Sequence, residues 1–341
     1  MTQQGDVVTR LDPALAPFMP LTDRASAVDN PVAERERRKA EQARTSGDLA
    51  AWSSLVSVED VEISLQHPDV SAQSDAMLAR LRPDATVGAV RVRVFRPRGA
   101  QIRNAVLYLH GGAFVFGDIN DSGRQCAEIS SATGSAVAMV DYRLAPENPY
   151  PAALADCALA LLWLAGRRGD PVAVVGSSAG GNLAAGLTLL ARDSEVELIR
   201  FQALLSPALD PRLGTGSMTS FGTTPGWNGA ACRVMWRQYL QGRRWEELRY
   251  AAPGLADDVT GLPPALIVTA ESDPLRDEGI AYGQRLLAAG GQVELYNAPG
   301  AFHGFLTAAP QADVSRRVMS LLTGALRRFE WSRPVTQRRS S

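Results

Sequence analysis

Apolar residues fall into two different periods along this chain. In 58–63 (Val-Glu-Asp-Val-Glu-Ile) and 90–95 (Val-Arg-Val-Arg-Val-Phe) apolar and polar positions alternate, as they do in antiparallel strands with one face in water. From Ala105–Leu109 onward the strand-length runs are apolar almost throughout: 136–140, 172–175, 201–205 and 265–269, with a last strand at 293–296. Such runs fit strands buried on both faces. Longer stretches with helical spacing separate them, at 124–133, Ala152–Gly166, 179–191, 280–289 and 314–329. Strands alternating with helices predict an α/β fold with a mainly parallel sheet and helices on both sides.

The flanks read differently. Residues 1–55 are predicted helical: Asp12 and Pro13 are placed to cap and begin a short helix over 11–19, and 31–44 is a charge-dense solvated helix. Residues 212–250 interrupt the α/β pattern with Gly and Ser turns. An aromatic stretch carrying Trp227, Met235, Trp236, Tyr239 and Trp245 follows. The chain therefore divides into an N-terminal segment 1–55, a core in two parts (56–211 and 251–332), an insertion 212–250 and a frayed tail 333–341.

Composition narrows the function classes. Of the 341 residues, 45% are hydrophobic and 21% charged, with a net charge of −1, so no surface for nucleic acid is indicated. Cys126, Cys157 and Cys232 are scattered without a Cys-x-x-Cys pair, which argues against a disulfide scaffold or a zinc site. The opening Met1-Thr-Gln-Gln-Gly-Asp has no basic or apolar region of a secretory signal, and no run is long enough to span a membrane. A cytoplasmic protein without metal or organic cofactor is expected.

The chemistry centres on Gly176-Ser-Ser-Ala-Gly180, set between a β-branched run and an Ala/Leu-rich helix. That is Gly-x-Ser-x-Gly at a strand-to-helix corner, where a strained Ser178 would hold its hydroxyl at a helix start. A serine hydroxyl needs a base. The chain has three histidines, His67, His110 and His303, and His303 alone follows Ser178. The order Ser, acid, His then makes His303 the base. The acid is expected near 270–279. Asp273, followed by Pro274 at a strand tip, is the first choice and Glu271 the second. Earlier in the chain, His110-Gly-Gly-Ala113 follows a buried strand. Gly111 would shape the turn, and the N–H groups of Gly112, Ala113 and Ala179 would form an oxyanion hole.

With these motifs assembled, the chain resembles the bacterial hormone-sensitive-lipase-like (family IV) esterases of the α/β-hydrolase superfamily. The matching stretches are His110-Gly-Gly-Ala-Phe, Asp141-Tyr-Arg-Leu-Ala-Pro-Glu, Gly176-Ser-Ser-Ala-Gly-Gly-Asn, Asp273-Pro-Leu-Arg-Asp-Glu-Gly and His303-Gly-Phe. The resemblance implies an α/β-hydrolase fold, with Ser178 as nucleophile, Asp273 as acid and His303 as base. It also implies a cap made of 1–55 and part of 212–250, and a structural role for the loop from Asp141 to Glu147. Two positions depart from the family: Ser177 stands where an acidic residue is usual, and Ala113 where a third glycine is usual.

A small-molecule ester is the expected partner, cleaved through an acyl-enzyme. Phe18, Met19, Met218, Phe221, Trp227 and Trp236 would line an apolar pocket for short or medium acyl groups or a bulky ester. The same acyl-enzyme would also serve an acyltransferase, amidase or cyclase. A non-catalytic receptor is the third reading, although receptors of this kind usually carry a broken triad. Relatives are often dimers, which leaves a homodimer open.

Overall fold

Eight strands, β1 (Val56–Ile63), β2 (Val90–Pro97), β3 (Ala105–Leu109), β4 (Ala136–Asp141), β5 (Val172–Ser177), β6 (Ile199–Leu205), β7 (Ala265–Ser272) and β8 (Val293–Phe302), form one sheet among the described residues. Their order is β1-β2-β4-β3-β5-β6-β7-β8. The computed structural model describes residues 11–20, 24–42, 50–70, 74–81, 87–99, 101–102, 104–167, 172–244, 246 and 248–328. The β1–β2 and β2–β4 pairs are antiparallel and every other pair is parallel. In β2 the outward arginines pair across the ladder, Arg93 with Asp60 on β1 and Arg91 with Asp141 on β4.

Helices cover both faces: α1 (Ala25–Asp29), α2 (Pro31–Gln42), α3 (Ser74–Ala79), α4 (Gly123–Thr133), α5 (Ala152–Gly166), α6 (Ala179–Asp193), α7 (Gly216–Ser220), α8 (Gly229–Leu240), α9 (Arg276–Ala288), α10 (Phe305–Ala308) and α11 (Asp313–Arg328). The pleat of β3 shows why its run is apolar throughout. Leu107 and Leu109 join a core layer with Leu159 of α5 and Leu187 of α6, while Val106 and Tyr108 join the opposite layer with Ile129 of α4 and Leu322 of α11. Burial of each large apolar side chain contributes about 1.5–3 kcal/mol.

The segment 11–19 is not the α-helix expected. It is a turn followed by a 3-10 turn at Ala16–Phe18. Pro17 has no N–H to donate to the carbonyl of residue 13, so an α-helix cannot continue through it. Asp12 instead accepts the Ala14 N–H on Oδ1 at 2.8 Å and donates its own N–H to the Gly300 carbonyl at 3.0 Å. The tail 333–341, Trp245 and Arg44 lie outside the described residues.

The insertion folds as α7 and α8, and α1 packs on α8. Asp29 pairs with Arg237, and Gln238 Nε2 donates to the Asp29 carbonyl at 3.3 Å. No described helix is long and apolar enough to cross a membrane.

Candidate active site

The strand β5 and the helix α6 meet at Ser178, whose φ of 55° and ψ of −116° lie in a sparsely populated region. Such a conformation persists only where its surroundings hold it. Three backbone bonds do so: Ser178 N–H to Leu205 O at 2.8 Å, and the N–H groups of Asn182 and Ala208 to Ser178 O at 3.1 and 3.2 Å. Close approach explains Gly180, where a Cβ would sit 2.0 Å from the Leu109 carbonyl oxygen of β3.

The loop after β8 brings His303 to this serine. Nε2 of His303 lies 3.0 Å from Ser178 Oγ, and Nδ1 lies 2.7 Å from Asp273 Oδ2. Asp273 is fully buried, and its Oδ1 accepts the Leu275 N–H at 2.9 Å. A carboxylate at Nδ1 can only accept, so Nδ1 carries the proton and Nε2 is left to accept from the serine hydroxyl. The second-choice acid, Glu271, is elsewhere: its Oε2 accepts the Gly300 N–H at 2.7 Å, three residues before His303.

The loop after β3 turns tightly beside the serine. Gly112 has φ 132°, and a Cβ there would meet the Phe116 carbonyl oxygen at 2.2 Å. Its own carbonyl accepts the N–H groups of Val115 and Phe116 at 3.0 and 2.7 Å. Ala113 adopts φ 59°. Among the described residues, the N–H groups of Gly112, Ala113 and Ala179 donate to no protein acceptor. Gly111 abuts the serine: a Cβ there would come 3.4 Å from Ser178 Cβ.

His110 sits behind this loop, fully buried, with Nδ1–H donating to the Gly111 carbonyl at 2.8 Å. Burial pushes its pKa down, so the ring stays neutral. Tyr142 stacks on that ring at 4.2 Å and donates its hydroxyl to the His110 carbonyl at 2.8 Å. The loop that contains Tyr142 is in turn held by Arg143, whose guanidinium pairs with the buried Asp156 at 2.8 Å. His67 is remote from this chemistry and packs edge-on to Trp163 at 6.2 Å.

Of the six residues expected to line a pocket, Trp227 is the one stacked on the His303 ring, 5.4 Å between centroids and 29° between planes. Met19, Met218, Phe221 and Trp236 are buried and Phe18 is exposed. The bracing by Tyr142 had a signal in the chain, since it falls in the Asp141–Glu147 motif. The stack of Trp227 on His303 had none beyond aromatic content. Among the described residues no three His, Cys, Asp or Glu side chains converge as metal ligands.

A family model described as alpha/beta hydrolase fold matches residues 106–307. The esterase LipI of Mycobacterium tuberculosis is 37% identical over 233 residues, covering 65% of this chain and 73% of LipI. The crystal structure of the esterase LipW from Mycobacterium marinum has a TM-score of 0.78 at 35% identity, over 94% of this chain and 96% of that one. A bacterial heroin esterase has a TM-score of 0.78 at 37% identity, over 94% of this chain and 98% of its own.

Proposed function

The chain belongs to the α/β-hydrolase family, in its hormone-sensitive-lipase-like branch, and on that premise we propose that it is a serine hydrolase of carboxylic esters. The observation that carries the proposal is the hydrogen-bonded series Ser178, His303, Asp273, with distances of 3.0 and 2.7 Å. LipI, LipW and the bacterial heroin esterase each carry an esterase name, which supports the same reaction class.

In this reading Ser178 Oγ attacks the ester carbonyl while His303 Nε2 takes its proton. Asp273 keeps Nδ1 protonated and stabilises the imidazolium that forms. The N–H groups of Gly112, Ala113 and Ala179 receive the developing oxyanion. The tetrahedral intermediate collapses, the alcohol leaves with the proton from His303, and Ser178 holds the acyl group. Water, deprotonated by His303, then releases the acid. The N-terminal segment 1–55 and part of 212–250 would form the cap, with Trp227 as the wall beside the base. Arg35 of α2 joins cap to core by donating to the carbonyls of Val115 at 3.0 Å and Ala145 at 3.3 Å, and by pairing with Glu147.

Turnover of p-nitrophenyl esters of increasing acyl length, compared with Ser178→Ala, tests the proposal. Expected are clear turnover with a short-to-medium optimum, its loss in the variant, and phosphonate labelling of the wild type at Ser178. Near-normal turnover by Ser178→Ala, or a folded wild type that neither hydrolyses esters nor takes the phosphonate, would rule it out.

A further inference from the structure

One buried carboxyl beside the site has no part in these steps. Glu278 lies in the first turn of α9, the helix that follows Asp273, and is 3% exposed. Its Oε1 accepts two backbone N–H groups, that of Leu209 at 2.5 Å and that of Asp210 at 3.3 Å. Both residues belong to 206–210, the segment leaving β6.

That segment is also bonded to the elbow. Ala208 N–H donates to the Ser178 carbonyl at 3.2 Å, and Asn182 Nδ2 of α6 donates to the Ala208 carbonyl at 2.8 Å. Pro207 fills the space between the two helices: a Cβ on Gly181 of α6 would lie 2.8 Å from Pro207 Cβ, and one on Gly279 of α9 3.6 Å from Pro207 Cδ. The segment is thus a spacer between the helix that begins at the nucleophile and the helix that follows the acid. Pro207 sets its thickness, and Glu278 fastens its far side.

We infer that Glu278 is a positioning residue, which holds 206–210 to α9 and so keeps Ser178 and Asp273 at the separation that His303 bridges. The inference rests on Ser178, His303 and Asp273 being the reacting groups. Buried N–H groups need acceptors, and past the end of β6 no neighbouring strand supplies them for Leu209 and Asp210. A side chain from α9 does so instead, and the reach of glutamate lets one oxygen serve both donors. Burial pushes the Glu278 carboxyl well above the usual range, and Asp210 and Asp273 act in the same direction against the two N–H bonds. Burial thus disfavours the charged form, while both N–H groups need only an accepting oxygen at that reach. Oε2 has no hydrogen-bond partner among the described residues. Reach is what the position requires, and acidity is not.

Two substitutions in the full chain separate these properties. Glu278→Gln keeps the reach and removes the acid; Glu278→Asp keeps the acid and shortens the reach by one methylene. On p-nitrophenyl acetate, Glu278→Gln should keep kcat within about 2-fold, and Glu278→Asp should lower it by on the order of 10-fold or more, because small misplacements of reacting groups are costly. KM should change little in either, since alignment is felt in the transition state rather than in binding. Glu278→Met, similar in length but without a strong acceptor, should fall with Glu278→Asp and serves if the latter does not fold. The inference is overturned if folded Gln and Asp variants have equal kcat, or if the Asp or Met variant loses melting temperature with kcat unchanged. Ser178→Ala in the same assay separates the two levels. If it still turns over, the reaction assignment falls and the inference with it. If it is inactive while the Gln and Asp variants match, the inference alone falls.

Discussion

Asparagine at position 273 keeps the shape of the acid and removes its charge, and the surroundings decide which way the amide faces. Oδ1 of Asp273 accepts the Leu275 N–H at 2.9 Å, while Oδ2 faces His303 Nδ1 at 2.7 Å. The amide oxygen of the variant has to stay on Leu275. The reverse orientation would set two donors against each other in a fully buried position, at a cost of about 1–3 kcal/mol. The NH2 group then points at Nδ1, which must accept, so the ring proton moves to Nε2. Nε2 is the atom 3.0 Å from Ser178 Oγ, and once protonated it cannot take the serine proton. The same tautomer error in a serine protease triad costs ~10⁴ in kcat, equivalent to about 5.4 kcal/mol of barrier. A loss of that order is expected for Asp273→Asn on p-nitrophenyl acetate at neutral pH, with KM little changed. Glu271→Gln is the control. Its amide oxygen can still accept the Gly300 N–H, so kcat should stay within about 3-fold. An Asp273→Asn enzyme within 10-fold of wild type, or a Glu271→Gln enzyme as slow as Asp273→Asn, refutes this reasoning.

Other substitutions test neighbouring parts of the site. Gly112→Ala would force a Cβ to 2.2 Å from the Phe116 carbonyl oxygen at φ 132°, so ester turnover should be lost; a folded, active variant would show that the loop can rearrange. Trp227→Leu removes the ring stacked on His303, and kcat/KM should rise for long or bulky acyl esters relative to acetate; an unchanged chain-length profile would place the specificity elsewhere. Arg35→Ala removes charged donors from the Val115 and Ala145 carbonyls, and a destabilisation of about 1–3 kcal/mol is expected by urea unfolding; an unchanged midpoint argues against the contact. Burial raises the folded pKa of Glu278 above its ordinary value of about 4.5, so the folded state favours a proton that the unfolded chain releases above that pH. The stability contributed by the neutral acid is complete below about pH 4.5 and is lost as pH rises toward the folded value. The melting temperature of Glu278→Gln relative to wild type should therefore climb across that interval, and a flat difference would mean that Glu278 is not held neutral.

Much of this arrangement was legible because the residues brought together at Ser178 are rare in the chain and stand in a fixed order. With three histidines in the chain, the one after Ser178 is the one whose Nε2 faces the serine. Asp273 was separable from Glu271 by its place before a proline at a strand tip, and the structure puts Asp273 at the imidazole and Glu271 on Gly300. Buried strands were legible because both faces of β3 and β5 touch apolar layers, which leaves no polar position to interrupt the run. The role of Glu278 was not legible. In the sequence it is one of two acids opening a helix, where a macrodipole role is the ordinary reading. Its partners are backbone amides at 209 and 210, and amides carry no sequence signal.

The last strand shows how tertiary bonds override local punctuation. Residues 293–296 read as a short strand because Asn297-Ala-Pro-Gly300 carries the residues of a turn, yet β8 continues to Phe302. Thr269 Oγ1 donates to Asn297 Oδ1 at 2.9 Å, and the ladder runs on until Ser272 faces Phe302. Gly300, at φ 65°, is held on both sides: its N–H by Glu271 Oε2 at 2.7 Å and its carbonyl by the Asp12 N–H at 3.0 Å. The sheet order supplies the reason for this length. Between β5, which ends one residue before Ser178, and β8 stand β6 and β7, and neighbouring strands lie about 4.8 Å apart. A histidine leaving β8 at residue 297 would be left at the edge of the sheet. The further residues to Phe302, bent at Gly300 and bonded to β7 and to the N-terminal turn, carry His303 past the strand tips and back toward Ser178. The turn-like residues are therefore used as a bend within a strand, and the bonds that keep them there come from residues 12 and 271.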